Sequence, residues 1–217
     1  MNKIFKFWDK YKEQILLVTI SILLIAAVIQ QAIGWTYVLK LTSIMITIIT
    51  AIMIIFWGIA PRKKVLLALL VIILGFTAEA IGVNTGLLFG DYNYGSLLGF
   101  KILGVPIIIG ITWLLVTMSA WQIAMYDKSL NLYKRLALAS FLVIMFDLVL
   151  EQFAITYSLW QWAGNFVPIF NYITWLVVSL IIFIIYHKLT PKWEPSLFIA
   201  GVLPIMAIFF WLMLLIS

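Results

Sequence analysis

The stretch IILGFTAEAIGVNTGLLFGDYNYGSLLG, residues 72–99, decides the fold of this protein. Its first half has the apolar character of a membrane-spanning helix, yet it contains one acidic residue, Glu79. A glycine-rich segment that carries Asp91 follows directly. An acid at the centre of a membrane helix costs about 2.5–3.5 kcal/mol, so such a residue usually marks a functional site. The surroundings that the rest of the chain provides for Glu79 therefore bear directly on function.

The overall composition is that of a protein embedded in lipid. Of the 217 residues, 65% are hydrophobic and 10% are charged, and the mean hydropathy is +1.18. A water-soluble domain of this length could not bury so many apolar side chains. The chain contains no cysteine, which excludes disulfides, thiolate metal ligands and thiol nucleophiles.

Seven apolar segments are long enough to cross a bilayer. A helix needs about 20 apolar residues to span the hydrocarbon, and helices are expected because the alternating pattern of barrel strands is absent. The first segment is too long for a signal peptide and lacks a cleavage site, so we interpret it as a retained span. The sequence predicts an all-α polytopic membrane bundle, a single integral membrane domain over residues 1–217, with spans at residues 15–33, 37–60, 65–84, 102–126, 136–158, 170–187 and 196–216.

The basic residues predict the orientation of these spans. Only Lys40 and Lys101 fall on one side of the membrane. The remaining basic residues share the other side and are Lys3, Lys6, Lys10, Lys12, Arg62, Lys63, Lys64, Lys128, Lys134, Arg135, Lys188 and Lys192. By the positive-inside rule the N-terminus is cytoplasmic and the C-terminus lies outside. Topology therefore explains the net charge of +6, and no nucleic-acid partner is expected.

Four acidic residues are predicted to meet near the outer surface. At a helical rise of ~1.5 Å per residue, Glu79 lies roughly 21 Å along the third span, and Asp147 and Glu151 lie roughly 16 and 22 Å along the fifth. Asp147 and Glu151 are four residues apart and project from one helix face, and Asp91 belongs to the loop just above. The other four acids lie among the cytoplasmic lysines as expected solvated counter-charges, namely Asp9, Glu13, Asp127 and Glu194.

A functional interpretation of this cluster competes with a structural one. Buried acids can serve as packing contacts that bind Ser, Thr, Asn or Tyr on neighbouring helices. However, apart from Lys40, three residues from the outer end of the second span, no basic residue lies in the outer half of any span to neutralise these acids. We therefore expect the carboxyl groups to hold protons at neutral pH, which describes a buried Brønsted acid.

Aromatic and amide side chains at the outer ends of the spans complete the predicted chamber. The predicted wall residues are Tyr92, Tyr94, Trp160, Trp162, Asn171 and Trp175. Taken singly, the tryptophans fit an interfacial belt equally well, although their faces could also stabilise a cation in a dry pocket. The single histidine, His187, lies at the opposite end of the sixth span. Without a histidine cluster there is no basis for a di-iron site, and neither a metal nor a cofactor is expected.

Several of these segments resemble one family. The motifs are EAIGVNTGLLFGDYNYGSLLGFKILGVPIIIGITW (79–113), FDLVLEQ (146–152), WQW (160–162) and PIFNYITW (168–175). Their order is similar to that of the membrane carotenoid biosynthesis family, which includes carotenoid hydratases and the archaeal bisanhydrobacterioruberin hydratase. The resemblance covers roughly residues 70–180. It implies a cofactor-independent hydro-lyase that adds water to the terminal carbon–carbon double bond of an acyclic carotenoid, either lycopene-like or C50.

The chemistry implied by the resemblance agrees with the residues. A carboxylic acid protonates the alkene, and a positioned water captures the resulting carbocation. Asp147 or Glu151 would donate the proton, Glu79 and Asp91 would orient water or balance charge, and Asn171 would hold water. The expected surroundings are a hydrophobic polyene substrate, the lipid bilayer of a bacterial or archaeal plasma membrane, and other carotenoid biosynthesis enzymes as candidate partners.

Two other classes of function remain open. A carotenoid end-group cyclase or isomerase would also protonate an end group, but it would release a proton where a hydratase accepts water. A non-enzymatic isoprenoid-binding protein or proton-coupled transporter would use the same acids to carry protons. Pigment mass after expression in a lycopene-producing bacterium separates hydration from these alternatives.

Overall fold

Seven helices make up most of the chain that the computed structural model describes, which is residues 3–35, 37–164, 166–190 and 193–217. They are α1 (Lys3–Ala32), α2 (Tyr37–Phe56), α3 (Pro61–Thr85), α4 (Ile107–Tyr126), α5 (Leu132–Thr156), α6 (Ile169–Leu189) and α7 (Leu197–Leu215). All seven are long and apolar enough to cross a membrane, which confirms the predicted polytopic helical bundle. Lys192 of the predicted cytoplasmic cluster lies outside the described residues.

Helix α4 lies at the centre of the bundle. It packs against α2, α3, α5, α6 and α7, whereas α1 lies at the periphery against α7 and α2. The contact between α3 and α4 depends on glycine. A Cβ atom at Gly75 would lie 2.4 Å from Cγ of Trp113, and one at Gly110 would lie 2.8 Å from the carbonyl oxygen of Ile72. The two helices can therefore approach closely, which brings α3 and its acid Glu79 against α4.

The predicted fourth span begins too early. Residues 101–106 form a hairpin of two short strands, β2 (Lys101–Ile102) and β3 (Val105–Pro106), and α4 starts only at Ile107. Leu103 and Gly104 at the turn have φ angles of 51° and 81°, as a two-residue type I′ turn requires. The hairpin is as apolar as the helix that follows it. Apolar composition alone does not distinguish a turn from the first turn of a membrane helix.

A second ribbon closes the end of the bundle at which the acids lie, called here the outer end after the predicted orientation. Strand β1 (Tyr92–Tyr94) pairs antiparallel with β4 (Trp160–Trp162). Neighbouring residues of a strand point to opposite faces, so the aromatic residues of both strands share one face. Asn93 and Gln161 are on the other face and are exposed. The tyrosines and tryptophans are therefore directed into the bundle. Neither ribbon was predicted from the sequence.

One predicted counter-charge has a structural role, and its interpretation as a solvated charge is wrong. Glu13 of α1 accepts hydrogen bonds from the Ser196 hydroxyl and the Phe198 backbone N–H, both at 3.1 Å. Backbone N–H groups at the start of a helix lack partners within the helix, so a carboxylate there stabilises it. Glu13 thereby ties α1 to the first turn of α7. By contrast, Glu194 is exposed as expected, and the side chain of Asp9 lies outside the described residues.

Candidate active site

The structure brings three of the four predicted acids together. Glu79 of α3 and Asp147 and Glu151 of α5 line one cavity, and their side chains are 4%, 0% and 2% exposed. The predicted convergence of Asp91 with them is wrong, because its side chain is exposed outside the cavity. The backbone carbonyl of Asp91 instead accepts a hydrogen bond of 3.0 Å from the Ala163 N–H beside the β1–β4 ribbon.

Glu79 is held by three hydrogen-bond donors. Its Oε2 accepts bonds from the hydroxyls of Tyr92 and Tyr94, the latter at 2.8 Å, and its Oε1 accepts a bond of 3.0 Å from Nε1 of Trp113. Burial, together with the nearby Glu79 carboxyl group, raises the pKa of the Tyr92 and Tyr94 phenols. Both hydroxyls therefore keep their protons and remain donors. A group surrounded by donors alone fits the acceptor pattern of a carboxylate.

Glu151 is surrounded by donors in the same way. Its Oε2 accepts hydrogen bonds from Nε1 of Trp160 and Nε1 of Trp162, both at 3.0 Å, and its Oε1 accepts a bond of 3.3 Å from Nδ2 of Asn171. The β1–β4 ribbon thus supplies two tyrosine donors to Glu79 and two tryptophan donors to Glu151. One ribbon therefore positions the carboxyl groups of two different helices.

Asp147 differs from the other two acids. Its Oδ2 accepts a hydrogen bond of 2.8 Å from Nδ2 of Asn171, while its buried Oδ1 has no partner among the described residues. A buried carboxylate oxygen without a donor is unfavourable. A carboxylic acid with its proton on Oδ1 fits this position better, and a molecule in the cavity could then receive that proton. Asn171 also bonds Glu151, so one amide nitrogen fixes the two α5 acids relative to each other.

All six predicted wall residues line the same cavity as the acids. They are Tyr92, Tyr94, Trp160, Trp162, Asn171 and Trp175. Helices α2 and α7 add further wall residues, among them Thr42, Ile46 and Phe210. The sequence of the first two spans carries little beyond hydrophobicity, so the contribution of α2 to this wall was not predicted. The cavity is therefore lined mainly by apolar and aromatic side chains.

A family model described as carotenoid biosynthesis protein matches residues 38–217. The chain belongs to this family. The match confirms the resemblance seen in the sequence motifs, and it includes every residue of the cavity described above. No curated protein and no solved structure matches the chain.

Trp113 is a site residue of this carotenoid biosynthesis protein that the sequence analysis missed. It is fully buried, donates to Glu79, and stacks on Trp175 with ring centroids 3.8 Å apart and planes inclined by 14°. Its place in a predominantly apolar helix gives no other indication of this role. Its position at the end of the family motif 79–113 is the one sequence signal that could have pointed to it.

The packed side chains leave little free space around the acids of this carotenoid biosynthesis protein. The cavity measures about 50 Å³, within an envelope of about 760 Å³ that includes its opening. A water molecule needs roughly 10–15 Å³ measured in this way, so the cavity has room for a few waters. An end group of a long chain can enter only if side chains of the wall move aside. Among the described residues, no group of three or more His, Asp or Glu side chains could hold a metal ion.

Gly75→Ala is expected to destabilise the carotenoid biosynthesis protein by about 1–3 kcal/mol, the usual cost of overpacking a core. The added methyl group would collide with Trp113 at 2.4 Å and displace the ring that donates to Glu79. Thermal unfolding in detergent measures the loss. Gly58→Ala is the matched control, because nothing lies within 4 Å of a Cβ atom there. Equal unfolding temperatures for the two variants would contradict the proposed packing.

Proposed function

We propose that this carotenoid biosynthesis protein is a hydratase that adds water to the terminal carbon–carbon double bond of an acyclic carotenoid. The observation that carries the proposal is the unpartnered Oδ1 of Asp147, beside two carboxyl groups that each accept three hydrogen bonds. This contrast distinguishes one proton donor from two groups that can stay ionised. The family supports a carotenoid as the substrate.

The first step is protonation of the alkene. The proton on Oδ1 of Asp147 adds to the less substituted carbon of the terminal double bond, and the π electrons form the new C–H bond. The positive charge then resides on the tertiary carbon. Glu79 and Glu151 provide negative charge within the same cavity, and the faces of Trp160, Trp162 and other wall residues add cation–π stabilisation. The hydrogen bonds to Glu79 and Glu151 already hold both carboxyl groups in position, so little reorganisation of these charges accompanies the reaction.

The second step is capture of the carbocation by water. The water oxygen forms the C–O bond, and the proton it loses returns to the Asp147 carboxylate and regenerates the acid. The sum of both steps is alkene plus water giving a tertiary alcohol. No electrons are gained or lost overall, so the reaction consumes no oxidant. The cavity lined by the three acids has room for a few waters, which supports capture by water over the loss of a proton that a cyclase or isomerase would require.

The setting of the proposed reaction follows from its chemistry. The substrate is a polyene dissolved in the hydrocarbon of a bacterial or archaeal plasma membrane, and the product is a more polar alcohol. Other carotenoid biosynthesis enzymes in the same membrane would supply the polyene and consume the alcohol. A proton-coupled transporter would also need buried acids, but it would leave the mass of the pigment unchanged.

Pigment mass after expression of the chain in a lycopene-producing bacterium tests the proposal. The expected product has the mass of lycopene plus one or two waters, and cells with an empty vector provide the control. A gain of one oxygen would indicate oxidation and would contradict hydration. Unchanged mass would also contradict it, and chromatography would then separate a cyclised or isomerised product from unreacted lycopene.

A further inference from the structure

A carotenoid has to reach the acid cavity from within the bilayer. On the outer aqueous side the β1–β4 ribbon covers the cavity, and the pocket on the exposed face of this ribbon is lined by the polar residues Asn93, Ser158 and Gln161. A long hydrocarbon would lose its apolar surroundings on that path. The polyene therefore needs a lateral route between two helices.

We propose that the polyene enters between α2 and α4, and that its unreacted tail lies in a groove on the lipid-facing side of these helices. This inference rests on the proposed hydratase function and assigns the site for the rest of the substrate. The α2–α4 groove encloses about 570 Å³, its open side included. Its lining residues are Ser43, Ile44, Thr47, Ile48, Ile107, Ile108 and Ile111.

The groove and the acid cavity are separated by one shared side chain. Ile108 lines both spaces, so displacement of Ile108 would join them. On the lipid side, Ile44 and Ile48 are 55% and 54% exposed, which leaves the groove open along its length. The outer end of α2 is at Tyr37, and at ~1.5 Å per residue Ile44 and Ile48 lie roughly 10 and 17 Å below it. The groove is therefore in the outer half of the bundle, at the level of the acids.

The contacts between α2 and α4 allow such an opening. Thr42 and Thr112, on the cavity side of the two helices, donate hydrogen bonds within their own helices, to Val38 O at 3.2 Å and Ile108 O at 3.0 Å. Within the described ranges, no hydrogen bond between side chains joins α2 to α4. One polar contact lies next to this seam, a hydrogen bond of 3.3 Å from Ser43 Oγ of α2 to the carbonyl oxygen of Leu98, which precedes α4. Apolar contacts join the two helices themselves, so parting them breaks no side-chain hydrogen bond between α2 and α4.

A second apolar groove, between α5 and α6, is a poorer candidate. It is lined by residues such as Tyr133, Ser140 and Leu176 and shares no lining residue with the acid cavity. Beside the acids, the α5–α6 seam is closed by the hydrogen bond of 2.8 Å between Asn171 and Asp147. Opening this seam would break the contact that positions the proposed proton donor. The α2–α4 seam imposes no such cost.

Bulky substitutions within the groove test the route. Ile44→Trp and Ile48→Trp fill the groove from its lipid side, and Ile73→Trp is the matched control, an isoleucine of α3 that is 59% exposed and lines neither space. Each substitution is introduced together with Asp147→Asn, so that bound polyene is not converted. The measurement is visible absorbance of lycopene per protein after purification from lycopene-producing cells, alongside the thermal unfolding temperature.

Relative to Asp147→Asn alone, the expected result is at least a fivefold loss of bound lycopene for Ile44→Trp and Ile48→Trp. The Ile73→Trp control should retain as much lycopene as Asp147→Asn alone, and all unfolding temperatures should be similar. Equal retention by the three variants, or no retained lycopene in any of them, would overturn the proposed route. Since these proteins lack the proposed proton donor, the result bears on the groove even if the wild-type chain fails to hydrate lycopene. The pigment masses described above test hydration separately.

Discussion

Asp147→Asn is expected to reduce hydration by about 1,000-fold, in the range that general acid catalysis contributes. The amide cannot deliver a proton to the alkene, whereas the partner-free Oδ1 of Asp147 can. The asparagine keeps an oxygen that can accept the hydrogen bond from Nδ2 of Asn171, so the helix packing should persist. The measurement is the amount of alcohol formed per amount of folded protein in membranes of lycopene-producing cells, determined by chromatography with mass detection.

Asp91→Asn provides the matched control for this prediction. The same chemical change is made in a side chain that is exposed outside the cavity, and wild-type product levels are expected. Wild-type activity of Asp147→Asn would refute the proposed proton donor. If Glu151→Gln then abolished product while Asp147→Asn did not, the donor would be Glu151, the other acid on the same face of α5.

Glu79→Gln is expected to lower both stability and activity. Glu79 accepts hydrogen bonds from Tyr92, Tyr94 and Trp113, but a glutamine offers one acceptor oxygen and an NH₂ group that meets a donor. Leaving a buried donor unpaired costs about 1–3 kcal/mol. The loss of negative charge near the carbocation should slow hydration by about 100-fold, the scale of a removed electrostatic contact in an active site.

Thermal unfolding in detergent and product formation measure the two effects of Glu79→Gln. Glu194→Gln is the control, because this carboxylate is 81% exposed and lies 3.7 Å from Lys128, and exposed ion pairs contribute at most about 1 kcal/mol. If Glu79→Gln unfolded at the wild-type temperature, the hydrogen bonds from the three donors would not require the charge of Glu79. Wild-type activity would remove Glu79 from the proposed mechanism.

The helical bundle was predictable because each span carries its own signal. A helix in lipid satisfies its backbone internally and needs only sufficient apolar length, and both properties are local to the segment. The common depth of Glu79 and Glu151 followed from helical rise alone. The same estimate of depth was wrong for Asp91, because a loop has no fixed rise per residue. The direction of a side chain in the loop depends on how the neighbouring strands pair. That pairing, between β1 and β4, joins residues far apart in the chain.

Composition and spacing along the chain thus account for the membrane setting, the seven helices and the level at which three acids lie. The chemical difference between those acids arises from contacts between distant segments. Tyr92 and Trp162 face each other across the ribbon, Trp113 reaches Glu79 from another helix, and Asp147 alone keeps a free oxygen among the described acids of the cavity. Such differences depend on which donors reach each carboxyl group, and donors are brought there by packing in three dimensions.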